Sequence, residues 1–345
     1  MGSLGQVRFG GTGMAVSELC LGAWMFGSRT PDGSEIVDER TAHALLDVAW
    51  AGGVNFIDTA NVYGAGLSEQ YIGDWLRGRD RESLVIASKV FFALSGKQPI
   101  GLSRKIVLAE IEGTLERLGC DYVDIYYIHG WHGPSPLGET LAAMNDLVRA
   151  GKVHYLGVSN FTAWQLAIAH EMCRANRWAP ISVIQPRFSA VDNVPYTVDP
   201  NEMALPDLFD ACRYLDVAVC PYSPLAEGFL TGKYTRGSDG ETIIPAGTRA
   251  AWTERFGQIP ERWWRVMAEV EAVAHELDAT PAQVAIKWTA ELADLTSIPI
   301  VGATKVGQLD DTLNAMQLEL SPDQHQRITD AGALPGLSPG VHTYV

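Results

Sequence analysis

From Glu18 onward, short apolar runs rich in β-branched residues alternate with longer stretches in which apolar positions recur every three or four residues. The apolar runs are ELCLGAW, VNFIDTA, LVIASKV, VDIYYIH, VHYLGVSN, ISVIQPRF, VAVCPYSPL and SIPIVGA. Between them lie ERTAHALLDVAWAGG, LSEQYIGDWLRGR, RKIVLAEIEGTLERLG, LGETLAAMNDLVRAGK, TAWQLAIAHEMCRAN and LPDLFDACRYLD, then a longer helical region over residues 261–292, and VGQLDDTLNAM after the last run. Several of these stretches end in Gly, a common helix stop. Each run is almost wholly apolar instead of alternating, which marks strands buried on both faces and hence a parallel sheet. Eight strand–helix units close such a sheet into a (β/α)8 TIM barrel of the α/β class. Ahead of it, QVRFGGTGMAVSE reads as a β-hairpin turned by Gly10, Gly11 and Gly13.

No linker rich in Pro, Gly or Ser divides the chain, so residues 1–345 read as one domain with a helical and loop extension at the C-terminus. Two segments exceed an ordinary barrel connection, residues 232–260 and 320–345, and long loops in compact domains often serve as lids. A doubly wound nucleotide-binding sheet is the rival fold. It needs GxGxxG after its first strand, whereas GGTGMAV precedes the first long run and has Val16 in the last glycine position.

Composition narrows the function. With 47% hydrophobic and 19% charged residues and no apolar run near the ~18 residues of a membrane span, the 345-residue chain reads as a globular protein with no membrane segment. MGSLGQVRFGG lacks the apolar centre of a secretory signal, which predicts a cytoplasmic location. Cys20, Cys120, Cys173, Cys212 and Cys220 show no CxxC spacing and read as reduced core thiols. A net charge of −15, from 26 basic against 41 acidic residues, repels a phosphate backbone and argues against nucleic acid as a partner.

In a barrel the site lies at the C-terminal ends of the strands, so the polar residues that end the apolar runs are the candidates. The second run ends at Asp58, with Tyr63 in the loop that follows; the third ends at Lys89, the fourth at His129, the fifth at Ser159 and Asn160, the sixth at Gln185, and the seventh reaches Tyr222. Singly, each has an ordinary reading as an ion pair, a satisfied core residue or loop packing. A buried Asp or Lys left unpaired costs several kcal/mol, however, so Asp58 and Lys89 on neighbouring strands are expected to pair. Two histidines three apart, His129 and His132, with no nearby Cys or acid, make a poor metal set, and no metal is expected.

FIDTANVYG, IASKV, DIYYIH, LGVSNF, IQPRF, CPYSPLAEGFLTGKY and IVGATKVGQL resemble, in order and over essentially the whole chain, the successive motifs of the aldo-keto reductase family. The resemblance implies an eight-stranded barrel that binds a nicotinamide cofactor, usually NADP(H) with NAD(H) the alternative, without a Rossmann fold, and that interconverts carbonyls and alcohols. By position it implies a catalytic set of Asp58, Tyr63, Lys89 and His129. The chemistry agrees: a carbonyl that receives hydride needs a proton, and a free phenol, with a pKa of about 10, donates slowly near neutrality. Lys89 beside the Tyr63 hydroxyl would favour the phenolate, Asp58 would keep the ammonium charged, and His129 would hydrogen-bond the carbonyl oxygen. The same phenol serves as base in the reverse direction.

The same resemblance has Ser159, Asn160 and Gln185 hold the carboxamide and Tyr222 stack on the nicotinamide, although Asn160 also suits a helix cap and Tyr222 a core position. Ser223, Leu225 and Lys233, with Pro224, Gly228 and Leu230, resemble the loop over the pyrophosphate; a solvated Lys233 is the plain alternative. After the eighth run, Gly302, Thr304, Lys305 and Gln308 precede a helix N-terminus, a good anion site, and Lys305 is expected at the 2′-phosphate. Where relatives often have QLEENL this chain has QLDDTL, so Asp311 takes the acidic adenine position and Thr312 replaces the amide. Trp24, Phe91 and Trp131 are the candidate walls for a small carbonyl or alcohol substrate, with Phe92, Trp252 and the Trp263–Trp264 pair as further possibilities. The alternative to an enzyme is a cofactor-binding regulatory subunit resembling the β subunits of potassium channels.

Overall fold

A computed structural model of the chain describes residues 4–92, 94, 100–191, 206–237, 241–245, 248 and 259–333. The hairpin pairs β1 (Gln6–Arg8) with β2 (Ala15–Ser17) in the register Val7 to Val16. Its Phe9 ring, fully buried, meets Phe56 edge-on at 5.7 Å and stoppers the N-terminal end of the barrel.

The apolar runs become β3 (Cys20–Gly22), β4 (Phe56–Asp58), β5 (Val85–Val90), β6 (Val123–Ile128), β7 (Val153–Ser159), β8 (Ile181–Gln185) and β9 (Ala218–Val219). A small antiparallel pair, β10 (Thr235–Arg236) with β11 (Thr242–Ile243), precedes the last barrel strand, β12 (Ile300–Val301). Eight strands form one parallel sheet in the order β12-β3-β4-β5-β6-β7-β8-β9, and parallel bridges from Val219 to Ser297 and from Tyr222 to Ile300 join its ends. The fold is the (β/α)8 barrel expected from the pattern.

Between the strands run α1 (Glu39–Ala51), α2 (Leu67–Leu76), α3 (Arg104–Leu118), α4 (Leu137–Arg149), α5 (Ala163–Asn176) and α6 (Pro206–Leu215), followed by α7 (Glu261–Glu276), α8 (Pro281–Ala290), α9 (Val306–Leu313) and α10 (Pro322–Gly332). Local chemistry sets their ends. Asp38 accepts the Thr41 amide at the start of α1, and Gly119, in the left-handed region at φ 61°, ends α3. The region 261–292 is two helices, not one. Asp278 turns left-handed at φ 50°, Thr280 and Gln283 make a capping box, and Pro281 starts α8 at a position where its missing N–H costs nothing.

Strand alternation sorts the side chains. Phe56, Ala87, Ile125, Val183 and Ala218 fill the barrel interior, while Ile57, Ile86, Tyr126, Leu156 and Ile184 face the helices in a larger, separate cluster. The same parity carries Asp58, Lys89, Ser159 and Gln185, two residues beyond interior positions, onto the inner face at the C-terminal mouth. Among the described residues no helix is long and apolar enough to cross a membrane. Residues 238–240, 246–247 and 249–258 of the long loop, which include Trp252, lie outside the described residues, as do residues 334–345 of the C-terminal extension.

Candidate active site

The turn that brings Tyr63 to the barrel mouth depends on backbone only glycine adopts readily. Gly64 and Gly66 sit at φ 56° and 96°, with Ala65 between them at 56°. A Cβ on Gly64 would lie 2.6 Å from the Phe26 carbonyl oxygen. The phenol ends beside the ammonium of Lys89, which donates to Asp58 Oδ2 at 2.6 Å and to the Thr59 carbonyl at 2.8 Å and stands 3.2 Å from the Tyr63 hydroxyl. The three protons of the ammonium are thus accounted for.

Asp58 is held from both sides, its Oδ1 accepting from Gln185 Nε2 at 2.8 Å. Burial raises the Asp58 carboxyl above its ordinary value, and Lys89 and Gln185 only partly offset this. Burial alone would lower Lys89, but Asp58 and then Tyr63 outweigh it, and the ammonium is held above the ordinary lysine value. His129 follows β6, its ring edge-to-face with Tyr63 at 5.9 Å and with Phe92 at 5.7 Å. Burial first, and the Lys89 charge second, push it well below the usual imidazole value, so it is neutral near pH 7.

A cavity of about 1420 Å³ opens above these groups and runs across the mouth. Its lining includes Tyr63, His129, Trp24, Phe91 and Trp131; Ser159, Asn160, Gln185, Tyr222, Ser223, Leu225 and Lys233; and Gly302, Thr304, Lys305, Gln308 and Asp311. Lys89 lies behind this lining, wholly buried. Hydrogen bonds link several of these residues: Tyr222 donates to Asn160 Oδ1 at 3.0 Å, Asn160 Nδ2 to the His129 carbonyl at 3.1 Å, and Ser159 to the Gln185 carbonyl at 2.8 Å. Asn160 adopts φ 57°, which asparagine tolerates better than most residues.

Two of the aromatic candidates lie away from the cavity, and several polar ones make bonds within the chain. Trp263 and Trp264 do not line the cavity; they pack on Phe229 at 5.3 and 5.1 Å, beneath the loop after β9. Gln185 gives one of its two amide N–H groups to Asp58. Gln308 Oε1 accepts the Thr304 and Lys305 amides at 3.0 and 3.2 Å, and Asp311 is gripped by Thr280 Oγ1 at 3.0 Å and Gln283 Nε2 at 2.9 Å. His132 turns to Ser135 Oγ at 2.7 Å.

Sequence reasoning missed Arg187 and Glu227, both buried in the cavity wall with Nη1 and Oε1 3.9 Å apart. The alternation that aims Gln185 inward also aims Arg187, two residues on, so a signal for it existed. Glu227 sits at φ 58° in an irregular turn that no periodicity reveals.

The comparisons agree with this architecture. The model of the Aldo/keto reductase family matches residues 18–333, and the chain belongs to that family of oxidoreductases. It is 33% identical over 338 residues, 95% of each chain, to the uncharacterized oxidoreductase YrpG of Bacillus subtilis (strain 168). It is 32% identical over 319 residues, 90% of each chain, to a probable voltage-gated potassium channel subunit beta of Oryza sativa subsp. japonica. Among solved structures, the thermostable aldo-keto reductase Tm1743, crystallised with the inhibitor epalrestat, superposes with a TM-score of 0.72 at 28% identity, covering 95% of this chain and 100% of that one.

Proposed function

We propose that this chain is an NADP(H)-dependent reductase of aldehydes or ketones, with Tyr63 as general acid, Lys89 and Asp58 as the pair that activates it, and His129 as the group that orients the carbonyl. The observation that carries this reading is the contact of a buried, charge-paired ammonium with a phenol at the floor of a large cavity. A structural ion pair has no need of a third, cavity-facing partner that can lose a proton.

A nicotinamide cofactor fits the rest of the cavity. Its volume of about 1420 Å³ exceeds what a small substrate needs, and its lining offers an aromatic face at Tyr222 with amide and hydroxyl groups at Asn160 and Ser159. The lining also offers the Lys305 ammonium at the N-terminus of α9, suited to a phosphate. When bound, such a cofactor supplies the hydride. The chain's own residues then handle the proton: the Tyr63 O–H bond breaks as the carbonyl oxygen takes its proton, and the Lys89 ammonium stabilises the charge left on the phenol. Neutral His129 donates an N–H to the same oxygen without competing for that proton. Trp24, Phe91 and Trp131 form aromatic walls beside the reacting position and suit a ring or a sugar face.

A screen of NADPH oxidation over aromatic aldehydes, dicarbonyls and sugars tests the reading. Turnover is expected with at least one class, and Tyr63→Phe should reduce kcat at least ~100-fold with cofactor affinity unchanged. Near-normal turnover in that variant refutes the assignment. Similarity to proteins named as potassium channel β subunits supports a second reading, a cofactor-binding regulatory subunit. A cofactor that stays bound and unoxidised across the whole panel would favour it.

A further inference from the structure

We infer that Tyr127 is a positioning residue for the candidate site, its ring completing with that of Tyr63 an aromatic cradle that holds the Lys89 ammonium in place. This rests on the proposed role of Lys89. The ammonium lies 4.8 Å from the Tyr63 ring centroid and 5.8 Å from that of Tyr127, both inside the ~6 Å reach of a cation–π attraction, which strengthens in a desolvated site. Tyr127 is the neighbour of Lys89 in the β5–β6 register and is wholly buried on the inner face of the barrel.

The next strand makes room for this ring. Gly157 on β7 pairs with Tyr127, and a Cβ there would fall 2.5 Å from the ring and 2.8 Å from Val183. The hydroxyl lies beside the Cys220 thiol, at most a weak partner. The three Lys89 protons go to Asp58, Thr59 and Tyr63, so it is the Tyr127 ring and not its oxygen that meets the ammonium.

The groups that act on Lys89 come from the elements around it: Asp58 from β4 and Tyr63 from the turn beyond, His129 after β6, Cys20 on β3 and Cys220 after β9. Cys20 and Cys220 are buried thiols raised well above their ordinary value, chiefly by burial, and so stay neutral. Within this set Tyr127 is the neutral face from the adjoining strand.

The test follows Lys89 itself. In protein carrying ¹³Cε-lysine, with its resonance assigned by Lys89→Met, the titration is read upward from pH 7 while circular dichroism monitors folding. Tyr127→Leu and the longer, more flexible Tyr127→Met, either sufficing if the other fails to fold, are expected to lower the midpoint by about half a unit to one unit. Tyr127→Phe keeps the ring and should restore the wild-type curve. In kinetics, the alkaline limb of kcat/KM, which belongs to the Lys89–Tyr63 pair jointly, should move down in the Leu and Met variants alone. An unmoved midpoint in Leu or Met, or a Phe variant that shifts as far as they do, overturns the inference. Absence of any carbonyl turnover in wild type refutes the proposed function, while the resonance still judges Tyr127.

Discussion

Replacing Lys89 by Met removes one charge from a pair whose side chains are 0% and 4% exposed. Asp58 Oδ2 then loses its partner at 2.6 Å and the Thr59 carbonyl its donor at 2.8 Å, while Gln185 still donates to Oδ1. Breaking a buried pair by removing one member costs about 3–5 kcal/mol. Asp58 softens this by taking up a proton, so about 3 kcal/mol near neutrality is expected, or roughly 4 °C in Tm for a chain of 345 residues.

The sign with pH follows from Asp58. Burial already holds its folded-state carboxyl above the ordinary value, and Lys89 is what pulls it back. Without Lys89 it climbs further. A carboxyl raised on folding favours the folded state fully below its unfolded value of about 4, and that contribution is lost as pH rises through the folded value. The deficit of Lys89→Met should therefore be small at pH 5 and larger at pH 8. Lys89→Met/Asp58→Asn should recover most of the loss and flatten the pH dependence, because neither charge is left unpaired. Urea denaturation of wild type, both single variants and the double variant at the two pH values measures this. A single variant as stable as wild type, or a deficit independent of pH, would refute the claim that the pair exists to offset a buried charge.

His129, depressed on folding, leaves the unfolded chain binding the proton first, so stability should decline as pH falls below about 6.5; His129→Gln should flatten that slope in the same denaturation series. Gly73→Ala should destabilise by about 1–3 kcal/mol, since its Cβ would overlap the Arg117 carbonyl oxygen where α2 meets α3; a variant with wild-type Tm would contradict this close approach. If Lys305 meets the 2′-phosphate, kcat/KM should favour NADPH, and Lys305→Ala should cut it ~10–100-fold for NADPH while leaving NADH nearly unchanged. A clear NADH preference in wild type would remove that role.

The barrel was legible in the sequence because burial on both faces forces each strand to be a nearly unbroken apolar run, and that pattern survives without knowledge of any partner. The candidate site was legible for a related reason: Asp58, Lys89, His129 and Gln185 each end such a run, and strand ends in a barrel share one rim. The division of residues 261–292 into two helices had a signal in Thr280-Pro281, but helical periodicity on both sides of the break masked it.

Tertiary structure alone decided what these groups do to one another. That Gln185 grips Asp58 joins residues 127 positions apart, and that Gln283 and Thr280 hold Asp311 joins two helices; no local pattern encodes either. The aromatic count of the chain names candidates for a substrate wall, yet only packing separated Trp24 and Trp131, at the cavity, from Trp263 and Trp264, against Phe229. Periodicity records which way a side chain faces, because that is fixed by the backbone of its own segment. Distance to a distant segment depends on how all eight strands close, and so it becomes visible only once the ring is complete.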